Sequence, residues 1–231
     1  MGLSHSPRII TDGLVFCVDA ANNRSYPGTG TTWTDLVGGN NGTLTNGPTF
    51  SSDNRGGIQF DGTDDSVLLD NDIILGNASS ITVWVRDLSS NGVIAGTNVV
   101  SRSFLASVRL GRHTLISSWP SDDPSGTWGG LWFTYHWDAI ATDTSNTWTH
   151  LSISRDGLIA YFYINGVANL MEDTTILGHD GDDGYLISNI GGGTGYAATI
   201  AGKIASLQIY NRALTDDEVR QNYNATRGRF Q

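Results

Sequence analysis

The stretch Trp148–Asn169, WTHLSISRDGLIAYFYINGVAN, constrains the fold more than any other part of the chain. Runs of alternating apolar and polar residues flank two dipeptides, Asp156-Gly157 and Asn165-Gly166. Both dipeptides tolerate the positive φ that tight hairpin turns demand. The spacing therefore predicts three antiparallel strands in a meander. Leu151 and Ile153 fall on one face of the first strand, while Tyr161 and Tyr163 share a face of the next.

The same two-residue period recurs along the chain. In Ile81–Arg86 (ITVWVR) it sets Ile81, Val83 and Val85 against Thr82, Trp84 and Arg86. In Arg102–Leu110 it lines up Phe104, Ala106, Val108 and Leu110, and both segments read as half-buried strands. Further strands are predicted at Leu14–Asp19, Ile58–Asp61, Ser66–Leu69, Leu131–Trp137, Tyr185–Ile190 and Lys203–Tyr210. One helix is signalled near the end. Thr215 is a good N-cap, Glu218 completes a capping box, and Leu214 and Val219 form a hydrophobic staple. Asp216 and Asp217 then sit at the positive end of its dipole, and the helix should end near Ala225.

The 29 glycines against 5 prolines suit a protein of many short strands and tight turns. A length of 231 residues fits one large β domain, and 39% hydrophobic content is enough for a sizeable core. The fold class expected is all-β: an antiparallel two-sheet sandwich with one short C-terminal helix. It divides into an N-terminal arm 1–12, the sandwich 13–225 and a tail 226–231.

A net charge of −10 argues against nucleic acid and against anionic membranes as partners. The single cysteine, Cys17, lies in the apolar run LVFCV and reads as a buried thiol, so the core must hold without disulfides. The opening MGLSHSPR has no apolar segment of the secretory kind, so synthesis without a signal peptide is expected.

Four blocks carry a family resemblance. GGIQFDGTDDSVLL (Gly56–Leu69), ITVWVR, the Trp148–Asn169 hairpins, and IGGGTGYAATIAGKIASLQIYNRALTDDEVRQNY (Ile190–Tyr223) follow one another in order. Together they resemble laminin-G-like, concanavalin A-like lectin modules, which implies a jelly-roll sandwich. The opening DGLVFCVDAANNRSYPGTGTTWTDLVGGNNGTLTNGP (Asp12–Pro48) is similar to a subtype found in bacteriophage virion structural proteins, especially marine and cyanophage-like ones. That resemblance implies a non-enzymatic virion surface protein (a capsid decoration protein, head fibre or tail adhesin) made in the host cytoplasm. Its implied partners are other virion proteins, further copies of itself with a trimer expected, and a host-surface glycan. The alternative is a lectin-like carbohydrate-binding adhesion module, and the third reading is a glycoside-active enzyme.

Glycoside hydrolysis needs two carboxylates held roughly 5–9 Å apart. Glutamate stands only at Glu172 and at Glu218, which the capping box uses. Alternate-spaced pairs occur at Asp70/Asp72 and Asp180/Asp182, in segments read as loops or strand ends. The chain has no GxSxG, no HExxH and no glycine-rich phosphate loop with a lysine. His150 reads as a strand residue satisfied within the sandwich. The expectation is a non-enzyme with no catalytic residues and no cofactor.

Binding chemistry concentrates in Ser117–Trp137 (SSWPSDDPSGTWGGLWFTYHW). Flat aromatic faces stack on sugar rings and carboxylates accept sugar hydroxyls. Trp119, Asp122, Asp123, Trp128, Trp132 and Tyr135 are therefore candidates for contacting a carbohydrate or a protein partner. Trp132 and Trp137 also suit a core role. The resemblance allows calcium, with candidate ligands Asp64, Asp65, Asp180, Asp182 and Asp183, although KIASLQIY places Ala205 and Ser206 where relatives carry acidic groups. Arg8, Arg227, Arg229 and Phe230 stand in the two terminal segments of an acidic chain and are candidate anchors for an acidic partner.

Overall fold

The computed structural model describes residues 7–76, 78–88, 92–96, 102–108, 114–120, 146–157, 159–173, 185–192 and 200–230. Alternating apolar residues pair across strands to build two antiparallel sheets. The front sheet is centred on β7 (Ala78–Arg86), flanked by β11 (Thr149–Asp156) and β15 (Ala201–Tyr210). Beyond β11 lie β12 (Ile159–Ile164) and β13 (Val167–Asp173). Beyond β15 lie β5 (Gly57–Asp61) and β4 (Thr49–Ser51), while β1 (Leu14–Asp19) pairs with the rest of β15. The back sheet runs β10 (Thr114–Pro120), β9 (Arg102–Val108), β8 (Gly92–Gly96), β14 (Tyr185–Ile190), β6 (Ser66–Leu75), β3 (Gly42–Thr45) and β2 (Thr32–Trp33).

Between the sheets lies one apolar cluster. It includes Phe16, Val18, Ile58, Phe60, Val83, Val85, Leu151, Ile153, Phe162 and Ile187, all buried. Burying each such side chain stabilises by about 1.5–3 kcal/mol, so this layer dominates the favourable side of folding. Cys17 is a free buried thiol, and burial together with nearby Asp19 and Asp35 pushes its pKa up to about 12. It is inert, as the sequence suggests.

The expected meander of β11, β12 and β13 forms. Its second turn is Asn165 (φ 52°) and Gly166 (φ 77°). At the first, Asp156 still pairs with Ile159, so the positive φ comes one residue later, at Gly157. The absence of a side chain at Gly166 has a second use. A Cβ there would lie 3.0 Å from Cβ of Tyr223, so the C-terminal helix can settle on this turn.

Two expectations change. β7, expected to be half-buried, is not: its face opposite the core, bearing Ser80, Thr82 and Trp84, is buried as well, as is that of adjacent β11 with His150, Ser152 and Ser154. Their cover is α1 (Asp216–Thr226), the turn Arg227–Arg229 after it and part of the N-terminal arm. β6 also continues past Leu69 to Leu75, so Asp70 and Asp72 lie within a strand, not at its end. The pairing explains the difference. Leu68 sits opposite Asn189 and Ile73 opposite Ile187, so the residues between them bulge outward and expose both aspartates. The predicted strand Leu131–Trp137 and residues 109–110 of the Arg102–Leu110 segment lie outside the described residues.

Candidate functional site

Trp119 lies on β10, the last strand of the back sheet among the described residues, paired in register with Ser103. Asp122, Asp123, Trp128, Trp132 and Tyr135 lie outside the described residues, as do Asp180, Asp182 and Asp183. What is placed is the strand that leads into the tryptophan-rich segment, at one margin of the molecule and on the sheet that α1 does not cover.

The turn between β5 and β6 brings Asp61, Asp64 and Asp65 together, with one carboxylate oxygen from each inside a 4.8 Å circle. Asp65 is 4% exposed, and burial raises its pKa above the usual carboxylate range. Its Oδ2 accepts the N–H of Asp61 at 2.9 Å, and Asp61 Oδ1 accepts the N–H of Thr63 at 2.7 Å. A calcium ion takes roughly six to eight oxygens. Three carboxylates, two of which already hold the turn's own backbone, fall short of that. Asp61 and Asp65 cap the turn that links β5 to β6.

The clearest constellation is one that sequence reasoning missed. Trp84 on β7, together with His150 on adjacent β11 and Trp148 just before that strand, meets Tyr223 of α1 and Phe230 beyond it. Phe230 stacks on Trp84 at 4.1 Å between ring centroids and tilts against Trp148 at 5.1 Å. Tyr223 stacks on the same tryptophan at 5.8 Å, and Trp84 Nε1 donates to Thr226 Oγ1 at 2.8 Å. Arg229 donates to Asp19 Oδ1 at 2.5 Å and to the carbonyl of Gly56. Arg229 and Phe230, expected as anchors for another molecule, are thus engaged inside their own fold. Only the alternation of Trp84 and Arg86 with core residues hinted at a second buried face.

The N-terminal arm joins the same cover. Ile10 N donates to Asn222 Oδ1 at 2.8 Å, Tyr210 donates to the carbonyl of Ile10, and Gln221 donates to the carbonyl of Arg8. Arg212 forks onto Glu218 at 2.9 and 2.7 Å and reaches Asp12 at 2.9 Å. That guanidinium holds Glu218 down to about 2. The capping box is present, with Thr215 N donating to Glu218 Oε2 at 2.9 Å and Glu218 N donating to Thr215 Oγ1 at 3.3 Å. The side chains of Arg8 and Arg227 remain exposed.

His150 is 1% exposed, and its Nδ1 has no hydrogen-bond partner. The sequence suggests a satisfied strand histidine, but this one is only partly satisfied. Burial pushes its pKa down to about 3, so the ring is neutral across the physiological range.

Residues 61–220 match the family model described as the concanavalin A-like lectin/glucanases superfamily. The chain belongs to that superfamily. Solved structures of the same fold include domain 4 of AbnA, an extracellular arabinanase from Geobacillus stearothermophilus, in complex with arabinotriose. It is 19% identical, with a TM-score of 0.65, over 95% of this chain and 100% of that one. The botulinum neurotoxin serotype D ligand binding domain in complex with N-acetylneuraminic acid is 14% identical, with a TM-score of 0.61, over 94% of this chain and 52% of that one. Trypanosoma rangeli sialidase in complex with sialic acid is 15% identical, with a TM-score of 0.60, over 99% of this chain and 37% of that one. At these identities the likeness shows a shared fold alone. No curated protein matches the sequence. Among the described residues, no helix is long and apolar enough to cross a membrane.

Proposed function

We propose that this superfamily member is a non-catalytic carbohydrate-recognition module that mediates adhesion. The observation that carries the reading is the asymmetry of the sandwich. One outer face is covered by the chain's own terminal segments, while the other sheet ends, among the described residues, in the strand that leads into the tryptophan-rich segment 121–137. Exposed aromatic rings beside carboxylates suit sugar rings, and loops at a sandwich margin are where such modules place their contacts. Two structures of the same fold are described with arabinotriose and N-acetylneuraminic acid bound, which supports a saccharide as the ligand class. In the acidic cluster at the turn after β5, the Asp61 and Asp65 carboxylates accept backbone N–H groups of their own turn, which favours binding over bond cleavage.

The test is a glycan array followed by titration of the best ligand. The double substitution Trp119→Ala and Trp128→Ala should weaken binding at least about ten-fold, since each stacked ring is worth ~0.5–1.5 kcal/mol beyond its area. A panel spanning arabinans and sialoglycans with no binder removes the proposal. Hydrolysis of any member overturns its non-catalytic part.

A finer placement rests on the resemblance of Asp12–Pro48 to phage virion proteins. In this reading the module sits on a virion surface as a homo-oligomer, a trimer, with exposed Arg8 and Arg227 toward an acidic capsid or tail partner. Mass spectrometry of purified virions checks it, and absence from the particle refutes it.

A further inference from the structure

His150 is a buried titratable group that the recognition reading does not use. It shares the outer face of the front sheet with Trp148 and Ser152, two residues away on either side. His150 Nδ1, Trp148 Nε1 and Ser152 Oγ are all buried there without a hydrogen-bond partner. A neutral imidazole is at home in such a layer. An imidazolium has a full charge and two N–H donors, and burying it without an acceptor is costly.

The lid over this group belongs to the C-terminal end of the chain. Tyr223 lies 5.8 Å from the His150 ring, and Phe230 covers Trp84, whose ring meets His150 edge-on at 5.2 Å. Two cations lie directly over the rings of the lid. Arg227 lies over the Tyr223 ring at 5.6 Å and Arg229 over the Phe230 ring at 4.7 Å. The carboxylate of Asp19 on β1 is bound to Arg229. β7 adds Arg86, paired with Asp87, and β15 adds Lys203, paired with Asp53. On α1, Asp216 accepts from Tyr163, Asp217 pairs with Arg220, and Glu218 pairs with Arg212. The turn between β12 and β13 contributes Asn165, whose Oδ1 accepts the His150 backbone N–H at 3.0 Å. The carboxylates named here already have partners.

We infer that the segment from Tyr223 to Phe230 is an acid-released clasp. Protonation of His150 lifts it from Trp84 and Trp148 while the two-sheet core stays folded. The core can survive because its inter-sheet cluster is made of apolar side chains. The sign follows from the buried neutral ring. With the clasp open, the exposed imidazole takes up a proton near its ordinary pKa of about 6.5. Closure is therefore at full strength above that range and weakens steadily as pH falls below it.

Hydrogen exchange measured on the full chain at pH 7.5 and 4.5, corrected for intrinsic rates, tests this. Peptides covering 223–230 should exchange at least about ten-fold faster at the lower pH, while those from β7 and β15 hold. Tryptophan emission should shift to the red with the same midpoint. His150→Phe should abolish the acid response. If that variant does not fold, Phe230→Ala serves in its place and should move the release midpoint to higher pH. Equal loosening of clasp and core, an unchanged acid response in His150→Phe, or an unmoved midpoint in Phe230→Ala would each overturn the inference.

Discussion

The two sheets of this sandwich meet the outside in opposite ways. The outer face of the front sheet is lined with Ser80, Thr82, Ser152, Ser154 and Gln208, residues that suit water, yet all are buried. On the back sheet Ile74 is 68% exposed, beside the exposed aspartates Asp70 and Asp72. Side-chain polarity alone would assign these faces the other way round. Cover decides the matter. The helix and the N-terminal arm close over the front face, and two of its hydroxyls find partners there: Ser154 donates to the carbonyl of Leu214 at 2.7 Å, and Ser80 donates to that of Arg212 at 3.0 Å. The front sheet is thereby committed to stability, and the proposed function assigns recognition to the back sheet and its margins.

Substitutions can break or sharpen this contrast. Trp84→Ala should have the largest effect, a loss of about 3–5 kcal/mol in denaturant unfolding, because it empties the centre of the covered face. Phe230→Ala should cost about 1–2 kcal/mol by the same measurement, since the ring is only partly buried. Thr215→Ala removes one side of the capping box and should cost about 1 kcal/mol. Ile74→Ser on the back sheet should change stability by less than about 0.5 kcal/mol, despite removing a larger apolar side chain than Thr215. If Ile74→Ser costs as much as Phe230→Ala, the back face is not free and the contrast fails.

Acid titration sharpens it further. Glu218 is held at about 2 by Arg212, below its ordinary range. Its contribution is complete above roughly pH 4.5 and is lost as pH falls toward 2. Arg212→Met should flatten that part of the stability profile, measured by unfolding at a series of pH values.

Much of this arrangement was legible in the sequence. Alternation and the two glycine turns disclosed the meander, and Thr215 with Glu218 located the helix to within one residue at its end. Those signals are local, so they survive without knowledge of the fold. The covered face was not legible, because Trp84 and Phe230 lie far apart in the chain and meet only through sheet packing and a helix return. The same distance hid the roles of Arg229 and Phe230: a cation and an aromatic near a chain end look alike whether they seek a partner or their own core. Asp70 and Asp72 were misjudged because a bulge lets a strand continue through residues of low β-propensity. For the site itself, the sequence yielded Trp119 and the tryptophan-rich segment as chemistry without geometry.

The central claim, that recognition belongs to the back sheet and its margin while the covered face of the front sheet serves stability, is tested most directly by hydrogen exchange with and without a saturating glycan ligand at neutral pH. The account expects new protection in β9, β10 and residues 121–137, with none in 216–230. Protection confined to α1 and the turn after it, with β10 unchanged, would contradict it.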